Sequence, residues 1–430
     1  MVQAGISAPR LTSVEDAKRM VLEQAEPLGT ELVVLPASVG RVVARDLIAE
    51  TDLPPFDNSS MDGYAVRSSD VAGASTEQPV VLRLTGEVAA GEVLGRAVSL
   101  GEAVRIMTGA PLPPGADSVV ALVEARLRGE RVEILEEVLP GRHVRNAGED
   151  IQASAVALVA GTWMQLQHLG LLAGLGYARV PVYRLPRVAV LTTGSELVGA
   201  DEPLAPGKIR NSNSLVLVAL LRQLGIEPVD LGVAVDERDL IRQRLEEASQ
   251  YDVILVSGGV SVGEHDLVKR VLRDLGMETL LWRVNLKPGK PLLVGRLPAC
   301  LRQAGWLAGW RGTVVFGLPG NPISCVVCFL EFISPFLRKT MGEEMADDGR
   351  IHARLTQPLR KKEPRLQLFT AKLEEEQGMR WVTPTPQQGS GMLHSLAHAN
   401  AFIVVPEDTM QLDAGSVVDV LPFGGDPWPW

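Results

Sequence analysis

Val253-Ile254-Leu255-Val256-Ser257-Gly258-Gly259-Val260-Ser261-Val262-Gly263-Glu264-His265-Asp266 is the stretch that decides the fold. Its first four residues are aliphatic and predict a buried strand. Ser257 to Gly263 is a glycine-rich turn. Leu267, Val268, Val271, Leu272 and Leu275 then recur at helical spacing. Strand, glycine loop and helix start together form an anion cradle, because glycines let backbone N–H groups approach and the helix N-terminus adds partial positive charge. Two serines and two carboxylates, Glu264 and Asp266, are more than a cradle needs. They cap the following helix, or they take part in metal or acid/base chemistry. Downstream, Asn285-Leu286-Lys287-Pro288-Gly289-Lys290-Pro291 brackets a rigid turn with two ammonium groups. That is a solvated turn or a grip for an anion.

The same alternation extends on both sides. Val188–Leu191 reads as a strand running into Thr192-Thr193-Gly194-Ser195-Glu196-Leu197. Asn211-Ser212-Asn213-Ser214 caps an apolar helix to Leu224. Val229–Val235 is a strand, and Asp236 is read as the cap of a helix over Arg238–Ala248. Thr313–Leu318 leads into Pro319-Gly320-Asn321-Pro322 and another helix. Strands alternating with helices predict a doubly wound parallel sheet, whose ligands bind at the C-terminal strand ends. Glu196, Asp236 and Asp266 would converge there. Clustered carboxylates repel one another unless a cation sits between them, and hard oxygen ligands suit Mg²⁺.

Before this region, short β-rich runs (Val80–Leu84, Val104–Met107, Ser118–Leu122, Arg131–Leu135) separated by Gly/Pro turns predict an all-β insert. Helical patterns flank it, from Ser13 to about Ala25 and over Trp163–Leu175, with a strand-like Glu31–Leu35 and a short helix around Arg41–Leu47 after the first. Beyond Gly349, the runs His352–Leu355, Leu366–Leu373, Phe402–Val405 and Val417–Leu421 predict a small barrel or sandwich. The expected fold is multidomain α/β plus β. It has a discontinuous mixed helical and strand domain (1–50 with 149–185), a β-rich insert (51–148), a central parallel α/β domain (186–345) and a C-terminal β barrel (346–430).

Composition sets bounds. The 430 residues carry a net charge of -10, which argues against nucleic acid as partner. Three cysteines make a disulfide framework unexpected, and Met1–Arg10 does not read as a secretory leader. The longest apolar region, Val314–Leu330, is broken by Pro319-Gly320-Asn321-Pro322, so no membrane span is expected and the reading is cytoplasmic. Cys325-Val326-Val327-Cys328 has redox spacing but lies among apolar residues, which favours a core role.

Taken together, Asp57-Asn58-Ser59-Ser60-Met61-Asp62-Gly63-Tyr64-Ala65, Met107-Thr108-Gly109-Ala110, Gly148-Glu149-Asp150-Ile151, Thr193–Leu197, Ser257–Gly263, Lys287–Pro291 and Leu318–Pro322 resemble the molybdopterin molybdenumtransferase (MoeA) family, which is similar to the E domain of gephyrin. The resemblance implies insertion of molybdenum from molybdate into adenylylated molybdopterin, with Mg²⁺ and release of AMP. It implies a homodimer and a molybdopterin adenylyltransferase as partner. It assigns Asp62, Glu196, Asp236 and Asp266 to catalysis, the last three also to metal. Thr108, Asp150, Ser257, Gly258, Gly259, Ser261, Lys287, Lys290, Pro319, Asn321, Arg365 and Ser390 would bind substrate. The pattern departs at Pro364-Arg365-Leu366-Gln367-Leu368-Phe369-Thr370, where the family's second arginine reads as Thr370. It departs again at His394, where a serine is common. Arg296–Gly312, with Cys300, Trp306 and Trp310, reads as an insertion. Two other readings share parts of this pattern: a molybdopterin adenylyltransferase, and a scaffold that uses the fold to bind partners.

Overall fold

A computed structural model describes residues 11–260, 266–298, 312–344 and 349–423. The chain forms two compact units: residues 1–31, 40–42 and 182–430, and residues 32–39 with 43–181. Ser261, Glu264 and the interior of the 296–312 insertion lie outside the described residues.

The first unit begins with α1 (Val14–Leu22). Ser13 caps it by accepting a hydrogen bond from the Asp16 N–H, and Glu15 and Asp16 fill the first turn. Acids there complement the helix dipole. Val14, Ala17 and Val21 share one buried face, and α1 packs against the helix Ser334–Thr340 and the strand Glu278–Trp282 of the same unit.

The second unit carries a six-stranded sheet: β1 (Gly63–Val66), β2 (Val80–Val88), β3 (Glu102–Ile106), β4 (Ser118–Ala121), β5 (Ala125–Arg128) and β6 (Arg131–Ile134), in the order β4-β1-β3-β2-β6-β5. Alternate residues serve opposite faces. Tyr64, Val66, Ala103, Val120 and Val132 enter one core, while Ala65, Val104, Ile106 and Val119 enter another. That is the two-residue period of a strand buried on both sides. Gly63 has no alternative residue, since a Cβ there would lie 2.0 Å from the Val120 carbonyl oxygen. The segment around Arg41–Leu47 holds no helix; bridges and the short strand Leu47–Ile48 stand there instead. The Val43 and Ala44 N–H groups donate to the Thr162 and Pro181 carbonyls instead of back along a helix. Helix α2 (Leu166–Gly174) starts three residues later than its pattern suggests.

The rest of the first unit is an α/β sheet followed by a barrel. The sheet uses β7 (Val188–Thr193), β8 (Val229–Ala234), β9 (Val253–Ser257), β10 (Glu278–Trp282), β12 (Leu293–Leu297) and β13 (Thr313–Leu318), in the order β8-β7-β9-β13-β12-β10. Short β11 (Leu286–Lys287) lies apart and joins the barrel sheet. Strands β8, β7, β9 and β13 are parallel, but β12 runs antiparallel to both neighbours. A sheet parallel throughout is therefore corrected to a mixed one. The Lys287–Pro291 turn sends the chain straight back, with no crossover helix to make β12 parallel. Helices α3 (Asn213–Gln223), α4 (Arg238–Ala248), α5 (Leu267–Asp274), α6 (Pro322–Cys328) and α7 (Ser334–Thr340) complete it. Cys325 and Cys328 are buried on α6, and burial pushes the Cys325 thiol up to about 12. Neither is a thiolate at neutral pH, as a core role requires.

The C-terminal strands β14 (Ile351–Leu355), β15 (Leu366–Glu376), β16 (Met379–Pro384), β17 (Ala401–Val405) and β18 (Val417–Pro422) run β15-β16-β14-β18-β17. Pairing of β15 with β17 closes them into a five-stranded barrel. Strand β16, joined to β15 by the Gln377-Gly378 turn, has no counterpart in the sequence reading.

Candidate active site

Three quoted motifs meet in the second unit. Asp62 Oδ1 accepts hydrogen bonds from the Thr108 N–H (2.7 Å) and the Thr108 hydroxyl (2.8 Å). Ser59 and Gly109–Ala110 exchange backbone bonds, and the Leu112 N–H reaches the Asp57 carbonyl. Asp57 Oδ1 accepts from the Ala147 N–H at 2.8 Å, and the Asp150 N–H donates to Leu53 O at 3.0 Å. The 57–62, 107–112 and 147–151 loops are thus stitched together, leaving the Asp62, Thr108 and Asp150 side chains exposed. The Thr108 N–H, then its hydroxyl, hold the Asp62 carboxyl below the usual carboxylate range, with Arg105 adding to the effect. Asp62 stays ionised as a fixed acceptor.

In the first unit, the register pairs Thr192 with Ser257 and Ser257 with Leu318, so three parallel strands end level. Their loops lie side by side. Gly258 and Gly259 have φ of 92° and 65°. A Cβ on Gly258 would lie 2.4 Å from Thr193 O, and one on Gly259 2.4 Å from Val268 Cγ2. The glycines are required by close approach as well as by backbone conformation. Asn213, at the start of α3, joins two loops: its Nδ2 donates to Ser257 Oγ and to Gly320 O, both at 2.8 Å. Sequence reading treated Asn213 only as part of a cap.

The acids behave differently from one another. Asp236 does not cap α4. Glu237 occupies that position without a side-chain bond, and Asp236 Oδ2 accepts the Ser195 N–H at 3.0 Å while Ser195 Oγ accepts the Asp236 N–H at 2.9 Å. This exchange sets exposed Asp236 beside the loop that carries exposed Glu196. Asp266 caps α5 through Oδ1, which accepts the Lys269 N–H at 3.1 Å. Its Oδ2 is buried with no hydrogen-bond partner among the described residues, and burial raises its pKa. Among the described residues no group of three or more His, Cys, Asp or Glu is placed to hold a metal. Asp266 Oδ1 is turned to its helix, while Asp236 is bonded to Ser195 on the loop that carries Glu196.

A second polar region lies between the 287–291 turn, the start of α6 and the barrel. It is a cavity of about 260 Å³, and its polar lining includes Lys287, Lys290, Asn321, Arg365, Gln388 and Ser390. Gly289 allows the turn to pack on α6, because a Cβ there would meet Cys328 Sγ at 3.0 Å. The Ile323 N–H donates to Ser390 O at 3.0 Å, tying the barrel loop to α6. Thr370, at the departure from the family pattern, is buried in the wall. Its N–H and hydroxyl donate to Gln388 Oε1, and the Gln388 amide returns bonds to Thr370 O and Thr385 O. This network is neutral and holds the wall rigid. Buried Pro319 and Ser257 shape the loops rather than present polar groups outward.

Glu363 and Lys361 escaped the sequence reading. Lys287 Nζ reaches Glu363 Oε1 at 3.4 Å, and Arg365 Nη2 reaches Glu363 Oε2 at 3.0 Å. Buried Lys361 donates to the carbonyls of Arg365 (2.8 Å), Glu407 (3.2 Å) and Pro406. The mixed-charge run Lys361–Arg365 beside the one recognised arginine was the available clue.

Comparison with known proteins gives a consistent picture. Residues 12–176 match the MoeA N-terminal region (domain I and II), 189–339 a probable molybdopterin binding domain, and 352–423 the MoeA C-terminal region (domain IV). The chain is 35% identical to a molybdopterin molybdenumtransferase of Bacillus subtilis over 425 residues, 97% of this chain and 96% of that one. It is 37% identical to molybdopterin molybdenumtransferase 2 of Mycobacterium tuberculosis, covering 95% and 99% of the two chains. The crystal structure of a molybdopterin biosynthesis MoeA protein from Pyrococcus horikosii superposes with a TM-score of 0.82 at 32% identity, covering 97% of this chain and 100% of that one.

Proposed function

The chain belongs to the MoeA family of molybdopterin molybdenumtransferases, and from that premise we propose how its residues carry the reaction. It is a transferase of molybdenum cofactor biosynthesis that inserts molybdenum into molybdopterin. In our reading the molybdopterin arrives adenylylated, molybdate supplies the metal, and AMP leaves.

The observation that carries this reading is the cavity whose wall combines Lys287, Lys290 and Arg365 with Ser390. Every reactant is an anion. Two ammonium groups and a planar guanidinium, with Ser390 and Asn321 as neutral partners, suit a tetrahedral oxyanion such as molybdate. The level strand ends offer a separate seat for the pterin phosphates: Gly258 and Gly259 let backbone approach, and Asn213 fixes the loops around them.

Mg²⁺ fits the donor set in a limited form. It is held by one or two carboxylates and completes its shell with water and phosphate oxygens. The exposed pair Glu196 and Asp236, with Asp236 oriented by Ser195, meets that need. Bound there, Mg²⁺ would neutralise charge on the pyrophosphate. Asp266 enters this reading as a helix cap. Asp62, ionised and fixed by Thr108, orients a donor group of substrate or water, and Asp150 lies on the stitched neighbouring loop.

Homodimer formation, with Asp62, Thr108 and Asp150 of one copy serving the α/β domain of the other, rests on the family resemblance. So does a molybdopterin adenylyltransferase as the donor partner. Low cysteine content supports a cytoplasmic setting, and no helix among the described residues is long and apolar enough to cross a membrane.

The test is direct. Protein is mixed with adenylylated molybdopterin, molybdate and Mg²⁺, and AMP and active cofactor are measured. Joint appearance of both supports the reading; adenylylation of molybdopterin from ATP would support the adenylyltransferase instead. Asp62→Asn slows turnover strongly while leaving the melting temperature unchanged. Wild-type rates in that variant would remove Asp62 from the site.

A further inference from the structure

Glu363 stands where an incoming oxyanion would compete with it. It is absent from the lining of the cavity, yet its two oxygens reach two of the three lining cations, Lys287 at 3.4 Å and Arg365 at 3.0 Å. Such an exposed ion pair is ordinarily worth little, because a free side chain swings away. Here the backbone that carries it is held. The Arg365 N–H donates to Glu363 O at 2.9 Å, closing a tight turn. Buried Lys361 Nζ donates to Arg365 O at 2.8 Å, and the Leu366 N–H donates to Asn285 O at 3.2 Å on the chain entering the lysine turn. The carboxylate is thereby kept within reach of Lys287 and Arg365. Arg365, then Lys287, with Lys290 adding to the effect, draw the Glu363 carboxyl below the usual carboxylate range, so it is charged at neutral pH.

From this geometry we propose that Glu363 is a built-in carboxylate competitor that sets the affinity and release of the oxyanion at the cavity. Lys287, Lys290 and Arg365 against Glu363 leave two net positive charges, the complement of a dianion such as molybdate. An anion that enters must take Lys287 and Arg365 from Glu363, and Glu363 recovers them when the anion leaves. A site without the carboxylate would hold the ion more tightly in the ground state, which does not help its transfer. The neutral wall formed by Thr370 and Gln388 adds no fourth charge.

This inference rests on the cavity being the oxyanion seat, so its test separates the two claims. Molybdate binding to the full-length protein is measured by titration calorimetry for wild type, Glu363→Gln, Glu363→Asp and Lys287→Ala. Glu363→Gln should tighten molybdate binding about 3- to 10-fold, the scale expected for releasing partly exposed charge pairs. Glu363→Asp, which keeps the charge, should stay close to wild type, and the melting temperature should move little in either. Unchanged or weaker binding in Glu363→Gln, with Lys287→Ala weakened, overturns the competitor role alone; weaker binding would make Glu363 an aid that orients the cations. Binding in Lys287→Ala equal to wild type, or no binding in wild type and Glu363→Gln alike, overturns the oxyanion seat and the competitor role together.

Discussion

The strand-end loops and the lysine–arginine cavity belong to one unit and are built on opposite principles. The loops are made by close approach: glycines at φ of 92° and 65°, an asparagine that joins two of the loops through the Ser257 hydroxyl and the Gly320 carbonyl, and carboxylates that spend oxygens on backbone N–H groups. The cavity is made by charge: three cations from the 287–290 turn and the barrel, partly countered by Glu363. The difference teaches which kind of ligand each region can hold. Backbone-shaped loops suit an extended group that needs position, and a charged cavity suits a compact ion that needs charge.

Each side of the contrast can be strained by substitution. The largest effect is expected from Gly258→Ala. Its Cβ would lie 2.4 Å from the Thr193 carbonyl oxygen, and its φ is unfavourable for alanine. We expect a loss of about 3 kcal/mol or more in chemical denaturation, since both backbone strain and overpacking act. A near-neutral result would mean that the loop geometry is soft and the comparison overdrawn.

Asn213→Ala comes next. It strips buried Ser257 Oγ and Gly320 O of one shared donor. A cost of about 2 kcal/mol is expected from unsatisfied buried groups, together with slower turnover at saturating molybdate. Unchanged stability would show that the loops hold their places without this link.

Asp266→Asn should have the smallest effect, and of the other sign. Burial raises the Asp266 pKa, so the folded chain keeps a proton at pH values where the unfolded chain has lost it. Stability then falls as pH rises through that window, and the penalty is complete above the folded value. Asparagine caps a helix as well as aspartate and removes the charge. The variant should be more stable by less than about 1 kcal/mol at pH 7, with the gain fading toward acid pH and activity retained. Lost activity in a well-folded variant would make Asp266 a chemical participant rather than a cap.

Most of the architecture was legible because its signals are local. The aliphatic run Val253–Val256, the spacing of Val268, Val271 and Leu272, and the alternating strands of the insert each fix an element within a few residues. Strand direction was less legible. That β12 runs antiparallel depends on how tightly the Lys287–Pro291 turn reverses the chain. Site residues divide the same way. Asp62 and Thr108 lie in motifs that can be read one at a time, whereas Glu363 acquires meaning only because β11 pairs with β15 and brings Lys287 to the barrel. Asp266 is ambiguous in the sequence because a helix cap and a metal ligand are the same residue type in the same loop; the structure adds that one of its oxygens caps α5.

The measurement that bears most directly on the division between the two regions is molybdate titration of two double variants. Lys287→Ala with Arg365→Ala removes the charged cavity, and Glu196→Gln with Asp236→Asn removes the loop carboxylates. The account predicts that the first loses molybdate binding by at least about 10-fold while the second binds as wild type does. Retained binding in the cavity variant together with lost binding in the loop variant would contradict it.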